Sequence, residues 1–326
     1  NFFSKIVAKI KETSYNFNDG TGQRVIYLCV DGPDLTKINK MLVEGDLPEW
    51  RYLYEQSLWT QSGETINPPT SIPAWSANMY GTYPTRFETV KDLFSTAREY
   101  DPQRYYKKGY KDWVSIICQE QQKALLIAKW SELQKVYPSN ASYLNFQNTT
   151  TDDESYNATL AAMNDSQHKV IITHFDDFDA ISHELGSDSQ KFRDYAIKFS
   201  WWLKGIVSNL RDNDIFAMGS DHGRDTKSCC CFAQANHSHK FILWGDVKKI
   251  ITLFRKGPLQ FPTNWNGYQF LEFKPSILTD VSITDVKSTM LALNNIKQTD
   301  GEKQNKKNKQ GKAIKEVVDV FSKFNK

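Results

Sequence analysis

Acidic and imidazole side chains follow three separate apolar segments of this chain. Asp31 ends the run "RVIYLCVDG", Asp179 and His183 follow "KVIIT" within "HFDDFDAISHELG", and Asp221 and His222 end "DIFAMGSDHG". Asp179 and His183 are four residues apart and share a face if that segment is helical. Mixed carboxylate and imidazole ligands suit zinc or a similar transition metal. These five residues are therefore candidate metal ligands.

Two further histidines precede the segment "KFILWG", which has the composition of a strand. His237 and His239 are two residues apart, so in an extended segment they point the same way and spacing alone does not choose between them. Four of the six histidines of the chain are thus candidates for a site of this kind.

Two adjacent hydroxyl groups lie in the segment "NPPTSIPAWSANMYGTYPTR", residues 67–86. Prolines on both sides of Thr70 and Ser71 restrict the backbone just before a predicted helix. A hydroxyl at the start of a helix can serve as a nucleophile or simply as an N-cap. Both interpretations fit the local sequence.

Alternating strands and helices are predicted around these residues. The apolar runs that precede the acidic groups indicate buried strands, together with "LWTQSGET" and "KALLIAK". Helical patterns cover residues 35–44, "EWRYLYEQS" and the stretch from "FRDYAIKF" to "SNLRDN". We predict an α/β fold with a central, largely parallel sheet flanked by helices on both faces. Ligands bind beyond the carboxyl ends of strands in such sheets, so the acidic groups are expected to converge there.

The chain is long enough for one large domain, which we place at residues 1–301. Residues 86–167 are predicted to form a small cap-like insertion. The aromatic residues of this segment include Tyr105, Tyr106, Tyr110 and Trp113. They could stack on a nucleotide base or form the core of the cap, and a core role is the favoured interpretation.

Residues 302–326 read as a basic tail, with eight lysines against three acidic residues. Such a tail can contact an anionic partner, although a solvated tail with a final helix over residues 313–324 is the favoured interpretation.

The sequence was searched for membrane spans, a signal peptide and a disulfide framework. The longest apolar runs fall well short of the roughly 18 residues that a membrane span needs, so none is predicted. No clear signal-peptide pattern begins the chain, and five cysteines argue against a disulfide framework in 326 residues. A cytoplasmic location is slightly favoured.

The motifs in this order resemble the type I phosphodiesterase/nucleotide pyrophosphatase group of the alkaline phosphatase superfamily. That group has an early strand ending in Asp-Gly, matched by "CVDG", and a Pro-x-x-Thr/Ser-x-Pro turn, matched by residues 68–73. Its Asp-x-x-Gly-His-x-x-Gly motif matches residues 179–186 except that Ser182 replaces the inner glycine, and its Ser-Asp-His-Gly motif matches residues 220–223 in full. The resemblance covers residues 25–301. Ala74 stands where many nucleotide pyrophosphatases carry an asparagine, and Asn78 lies further along.

The resemblance implies an alkaline-phosphatase-like fold, a serine nucleophile and two divalent metal ions, with Zn²⁺ favoured. Ser71 takes the nucleophile position, and Thr70 is the alternative. The implied first metal ligands are Asp31, Ser71, Asp221 and His222. The implied second metal ligands are Asp179, His183 and His237, with His239 as an alternative metal or phosphate contact.

The implied activity is hydrolysis of a phosphodiester or nucleotide pyrophosphate through a phospho-enzyme intermediate, with a small phosphate ester or a nucleotide as substrate. A phosphomonoesterase or a phosphomutase on the same site is the first alternative, and a catalytically inactive binding protein is the second. A sulfatase is disfavoured, because its nucleophile motif requires arginine where this chain has Trp75.

Overall fold

A computed structural model describes residues 23–66, 69–83, 103–107, 109–118, 122–165, 167–224, 246–274, 276–296 and 311–323. The strands are β1 Val25–Val30, β2 Leu58–Glu64, β3 Lys123–Ala128, β4 Leu144–Asn148, β5 His168–Phe175, β6 Ile215–Ser220 and β7 Lys249–Lys256. The helices are α1 Leu35–Glu44, α2 Pro48–Glu55, α3 Ser71–Tyr80, α4 Gln103–Lys107, α5 Trp113–Ile117, α6 Asp152–Asn164, α7 Asp177–Leu185, α8 Gln190–Ser208, α9 Asp285–Leu293 and α10 Lys315–Lys323.

The described strands form one sheet in the order β2-β7-β6-β1-β5-β3-β4. The five strands from β6 to β4 are parallel, whereas β7 runs antiparallel to both β6 and β2. β1 lies at the centre, and all six of its residues are buried. A continuous apolar run is the expected sequence of a strand that is covered on both faces. The predicted α/β class and the largely parallel sheet are confirmed.

Helices cover both faces of the sheet and build two core clusters. Val25, Tyr27 and Cys29 of β1 belong to the first cluster, together with apolar residues of α3, α5, α9 and α10. Ile26, Leu28 and Val30 belong to the second cluster, with residues of α1, α2, α7 and α8. This alternation follows the period of two residues along a strand. The rigid centre of the molecule is therefore the sheet from which the candidate ligands emerge.

The segment 86–167 differs from the cap-like insertion that the sequence suggested. β3 and β4 are central-sheet strands within it, and α6 packs against β5. The described part from residue 122 onward therefore belongs to the main body of the fold. Of its four candidate aromatic residues, Tyr105 and Trp113 lie in the core and Tyr105 stacks on Tyr80, whereas Tyr106 is exposed.

The chain end also differs from the predicted solvated tail. The expected final helix is present as α10, but its apolar side packs against α9, and Val317 is fully buried. The backbone N–H of Ile314 donates to Thr289 Oγ1 at 2.9 Å. Residues 311–323 are thus docked on the domain. The predicted strand "KFILWG" lies outside the described residues, and β7 follows it. In the part of the chain that the structure describes, no helix combines the length and the hydropathy that crossing a membrane would require.

Candidate active site

Strand register brings the acidic groups of three segments to one level of the sheet. Val30, the last residue of β1, pairs with Phe175 of β5 on one side and with Ser220 of β6 on the other. The residue that follows each strand end is an aspartate, and two of these are Asp31 and Asp221. The register of three parallel strands is therefore the reason that residues 190 positions apart in sequence meet at the carboxyl edge.

Ser71 is the first residue of α3, and Thr70 is its N-cap. Pro73 is tolerated because it lies in the first turn, where backbone N–H groups have no partner within the helix. The hydroxyl Oγ of Ser71 lies 3.2 Å from His222 Nε2 and 3.4 Å from Asp31 Oδ1. The side chain of Thr70 makes no capping hydrogen bond. Of the two hydroxyls, Ser71 is thus the one in contact with the acidic cluster.

The two carboxylate oxygens of Asp31 have different surroundings. Oδ1 faces Ser71 and lies 3.6 Å from His222 Nε2. Oδ2 lies 3.1 Å from Nε2 of the fully buried His174 and accepts a hydrogen bond of 3.4 Å from Trp75 Nε1. The ring nitrogens of His174 and Trp75 thus hold Oδ2, and Oδ1 points toward Ser71 and His222. Support of this kind is typical of a metal-binding carboxylate.

Asp221 and His222 present their side chains to the same point. His222 Nδ1 lies 2.9 Å from the carbonyl oxygen of Gly223, and donation of its proton there leaves Nε2 as the free nitrogen beside Ser71. Burial and then the negative charge of Asp31 raise the pKa of Asp221 to about 7. Burial opposes protonation of His222, but the charges of Asp221, Asp31 and Asp179 outweigh it and raise the pKa of the imidazole.

Asp31, Asp221 and His222 have the geometry of a cation site. One ligand atom from each lies within 4.8 Å of the others, and all three residues are buried. Asp221 Oδ2 is buried and accepts no hydrogen bond from the described residues, although His222 Nε2 lies 3.3 Å away. A buried carboxylate oxygen without a donor is costly unless a cation compensates it. The donor set fits a divalent cation that accepts both carboxylate and imidazole ligands.

Asp179 and His183 form the neighbouring part of the site, on α7. Asp179 Oδ2 lies 3.0 Å from His183 Nε2, one helical turn away, which confirms the predicted shared face. Oδ1 forms an ion pair with Arg224, and His222 Nε2 lies 4.0 Å from the same oxygen. Burial opposes ionisation of Asp179, but the hydrogen bond from His183 and the charges of His222 and Arg224 lower its pKa to about 2.

Gly32 permits the close approach of these two parts. Its φ of +53° lies in the left-handed region, and a Cβ at this position would clash with the Asp179 carboxylate. The Asp-Gly pair after β1 therefore supplies a candidate ligand and leaves space for a second carboxylate.

A model of the type I phosphodiesterase/nucleotide pyrophosphatase family matches residues 25–315. The chain belongs to this family. The matched range contains every strand of the sheet and the clustered side chains around Ser71. No curated protein sequence matches the chain.

Solved structures of alkaline phosphatase superfamily proteins share the fold. A 2-O GAG sulfatase has 11% sequence identity and a TM-score of 0.60, with 91% of this chain and 74% of that chain covered. The lipoteichoic acid synthase LtaP from Listeria monocytogenes has 12% identity and a TM-score of 0.54, with coverages of 96% and 81%. An inactive murine ectonucleotide pyrophosphatase/phosphodiesterase 5 in complex with AMP has 12% identity and a TM-score of 0.55, with coverages of 91% and 99%. At these identities the similarity establishes the architecture only.

Five of the sequence-predicted ligands and the predicted nucleophile of this family member lie together: Asp31, Ser71, Asp179, His183, Asp221 and His222. His237 and His239 lie outside the described residues. Asn78, considered as a substitute for the family asparagine, donates to the hydroxyl of Tyr27 inside the core.

Sequence reasoning missed three residues that contact the cluster, namely His174, Trp75 and Arg224. His174 carried a signal, since an ionisable residue interrupts the otherwise apolar end of a central strand. Arg224 directly follows the Ser-Asp-His-Gly motif, but nothing in its position along the chain indicates that it reaches α7.

Proposed function

We propose that this chain hydrolyses phosphodiesters, with Ser71 as the nucleophile and divalent cations at the adjacent acidic cluster. The observation that carries the proposal is the position of Ser71 Oγ, at a helix N-terminus and within 3.4 Å of both Asp31 and His222. Membership of a phosphodiesterase family supports the same chemistry.

Asp31, Asp221 and His222 would hold the first cation. A divalent cation bound there would lower the pKa of the Ser71 hydroxyl and stabilise negative charge on the reacting phosphoryl group. Asp179 and His183 would hold a second cation, with His237 preferred over His239 as the third ligand. Zn²⁺ is the favoured metal, because the donors combine carboxylates with imidazoles.

Ser71 Oγ attacks the phosphorus atom of the diester. A new Oγ–P bond forms, the P–O bond to the leaving group breaks, and the leaving oxygen takes up a proton. Water then attacks the same phosphorus, releases the phosphate monoester and restores the serine hydroxyl. The unpaired N–H groups in the first turn of α3 and the helix dipole favour the anionic phosphoryl group throughout.

Turnover of three substrates with one leaving group tests the proposal. Bis(4-nitrophenyl) phosphate, 4-nitrophenyl phosphate and 4-nitrophenyl sulfate are compared at saturating Zn²⁺. We expect the diester to react fastest. Faster monoester hydrolysis would assign the chain to a phosphatase activity, faster sulfate hydrolysis would contradict the proposal, and cation binding without turnover would indicate a binding protein.

Ser71→Ala and Thr70→Ala form a matched pair for the nucleophile. Loss of the Ser71 hydroxyl should reduce turnover of the diester by about 10³-fold or more, because the attacking atom is removed. Thr70→Ala removes a neighbouring hydroxyl that makes no capping hydrogen bond, so turnover should change by no more than about threefold. The reverse order would exclude Ser71 as the nucleophile.

A further inference from the structure

Arg224 is a buried cation that contacts the second part of the site, the part formed by Asp179 and His183. Its side chain is only 2% exposed, although arginine is almost never this buried without a partner. The guanidinium forms an ion pair with Asp179 Oδ1 and donates to the backbone carbonyl of Asp179 at 3.3 Å. Two contacts to one residue fix the position of the guanidinium against α7.

Both carboxylate oxygens of Asp179 are therefore in use. Arg224 contacts Oδ1, and His183 contacts Oδ2 at 3.0 Å. A divalent cation that Asp179 and His183 held together would replace their mutual contact at Oδ2, and Oδ1 stays closed to it while Arg224 is bound there. Gly32 packs closely against the same carboxylate, so Asp179 has little room to turn away from its partners.

Charge gives an independent reason for competition. Asp31, Asp179 and Asp221 carry three negative charges when ionised, and one divalent cation together with Arg224 balances them. A second divalent cation would add two positive charges beside the guanidinium in a largely buried site, where like charges repel strongly.

The first part of the site has no such competitor. Among the residues that the structure describes, no lysine or arginine forms an ion pair with Asp31 or Asp221. Their contacts are instead with His174 and His222, whose rings can lose a proton when a cation binds, whereas a guanidinium keeps its charge. The difference between the two parts is thus the presence of one arginine.

We propose that Arg224 competes with the second cation for Asp179, because the guanidinium holds Oδ1 and places a fixed positive charge beside the oxygen that remains. This inference rests on the proposed function, since it assumes that Asp179 and His183 are metal ligands. Arg224 makes the two cation sites unequal: the site at Asp31, Asp221 and His222 fills first, and the site at Asp179 and His183 fills at a higher cation concentration.

Manganese titration of the metal-free protein tests the proposal. Mn²⁺ prefers carboxylate and imidazole ligands over thiolates, so it avoids the consecutive Cys229, Cys230 and Cys231. Electron paramagnetic resonance reports the free Mn²⁺ at each addition, which gives the number of bound ions and their dissociation constants. The variants are Arg224→Met, which removes the charge, and Arg224→Lys, which keeps it. Arg193→Met is the matched control, because Arg193 pairs with Asp46 at the surface.

The wild type should bind one Mn²⁺ tightly and a second at least about tenfold more weakly, a difference of about 1.4 kcal/mol. Arg224→Met should tighten the second site by about tenfold or more and leave the first within about threefold. Arg224→Lys should lie close to the wild type, as should Arg193→Met. Two equal sites in the wild type, or an unchanged second site in Arg224→Met, would overturn the proposal.

Asp179→Asn keeps the test decisive if the Arg224 variants do not fold. The proposal expects this variant to retain the single tight Mn²⁺ of the wild type. Loss of one of two tight ions in Asp179→Asn would show that Arg224 does not compete. The titration uses no substrate, so its result is independent of whether the protein cleaves phosphodiesters.

Discussion

The two parts of the candidate active site are built differently. The Asp31, Asp221 and His222 part lies at the ends of two central parallel strands, and its residues are at most 2% exposed. The Asp179 and His183 part lies on α7, a helix of nine residues at the carboxyl edge of the sheet. The side chain of His183 is 30% exposed there. The strand-end part has a buried oxygen without a donor, whereas the helix part already has Arg224 as a cation.

If both parts bind cations as proposed, this difference would separate a permanent cation site from an adjustable one. Strands paired on both sides cannot shift without breaking backbone hydrogen bonds, so their ligands are fixed before any ion binds. In the helix part, a second cation would instead have to compete with the guanidinium that is already bound to Asp179. The predictions below test whether the two parts separate in this way.

The largest effect is expected from Asp221→Asn. This change removes a ligand charge from the strand-end site, so the tight cation should be lost and diester turnover should fall by about 10³-fold, since such an ion supplies several kcal/mol of transition-state stabilisation. Metal content per chain and turnover measure the effect. Asp188→Asn removes the same charge at the surface, where Asp188 pairs with Lys37, and should leave both values unchanged. Equal effects of the two changes would contradict a cation site at Asp221.

His237→Ala should affect only the second site. The weaker cation should bind at least about tenfold less well, while the tight ion at Asp31, Asp221 and His222 is retained. His239→Ala is the matched control, with a smaller expected change. Mn²⁺ titration of both variants checks the assignment, and loss of the weaker ion in His239→Ala alone would transfer the ligand role to His239.

His174→Phe should lower the cation affinity of the strand-end site, although His174 is not a proposed ligand. The change removes the ring nitrogen that lies 3.1 Å from Asp31 Oδ2, so the affinity of the tight cation should fall by about 10- to 100-fold. His174→Gln can still offer an N–H to Asp31 and should recover part of the loss. Because a purely structural role would lower the melting temperature of the metal-free protein without changing cation affinity, both quantities are measured. The control is His168→Phe, which makes the same change at a partly exposed histidine at the start of β5.

The smallest effect is a pH dependence of cation binding at the strand-end site. Burial, and then the charge of Asp31, raise the pKa of Asp221 to about 7, so below that pH a cation must displace a proton from the carboxyl group. The stability of the metal-free protein should depend on pH in the opposite direction. The folded protein keeps a proton that the unfolded chain releases near pH 3.8, so this group lowers the free energy of unfolding as the pH rises toward 7. The rise in melting temperature on adding Mn²⁺ should therefore be larger at pH 8 than at pH 6, and an equal rise at both pH values would contradict the assignment.

The strands that carry the site could be predicted because their signals are local. β1, β5 and β6 are continuous buried runs that end in acidic residues, and such runs indicate central strands. β4 was missed because its residues are mostly exposed and polar, as expected for an edge strand. The docking of α10 was also missed. Its apolar side lies in a lysine-rich segment, and its partner α9 becomes a neighbour only in the folded chain.

The candidate ligands could likewise be predicted from motifs, but their surroundings could not. Asp31, Asp221 and His222 each end a recognisable strand, and the family resemblance supplied their grouping. The contacts of His174 to Asp31 and of Arg224 to Asp179 depend on strand register and on the position of α7. Such contacts join residues 143 and 45 positions apart, and no local pattern encodes them.

The identity of the residue that becomes phosphorylated tests the central claim most directly. The metal-loaded protein is mixed with bis(4-nitrophenyl) phosphate, quenched in acid within the first turnover, digested and analysed by mass spectrometry. Fragment ions must separate Thr70 from Ser71, because the two hydroxyls lie in one peptide. We predict a 4-nitrophenyl phosphoryl group on Ser71, absent in Ser71→Ala and present in Thr70→Ala. The same group on Thr70, or turnover with no covalent adduct on either residue, would contradict a serine nucleophile at the start of α3.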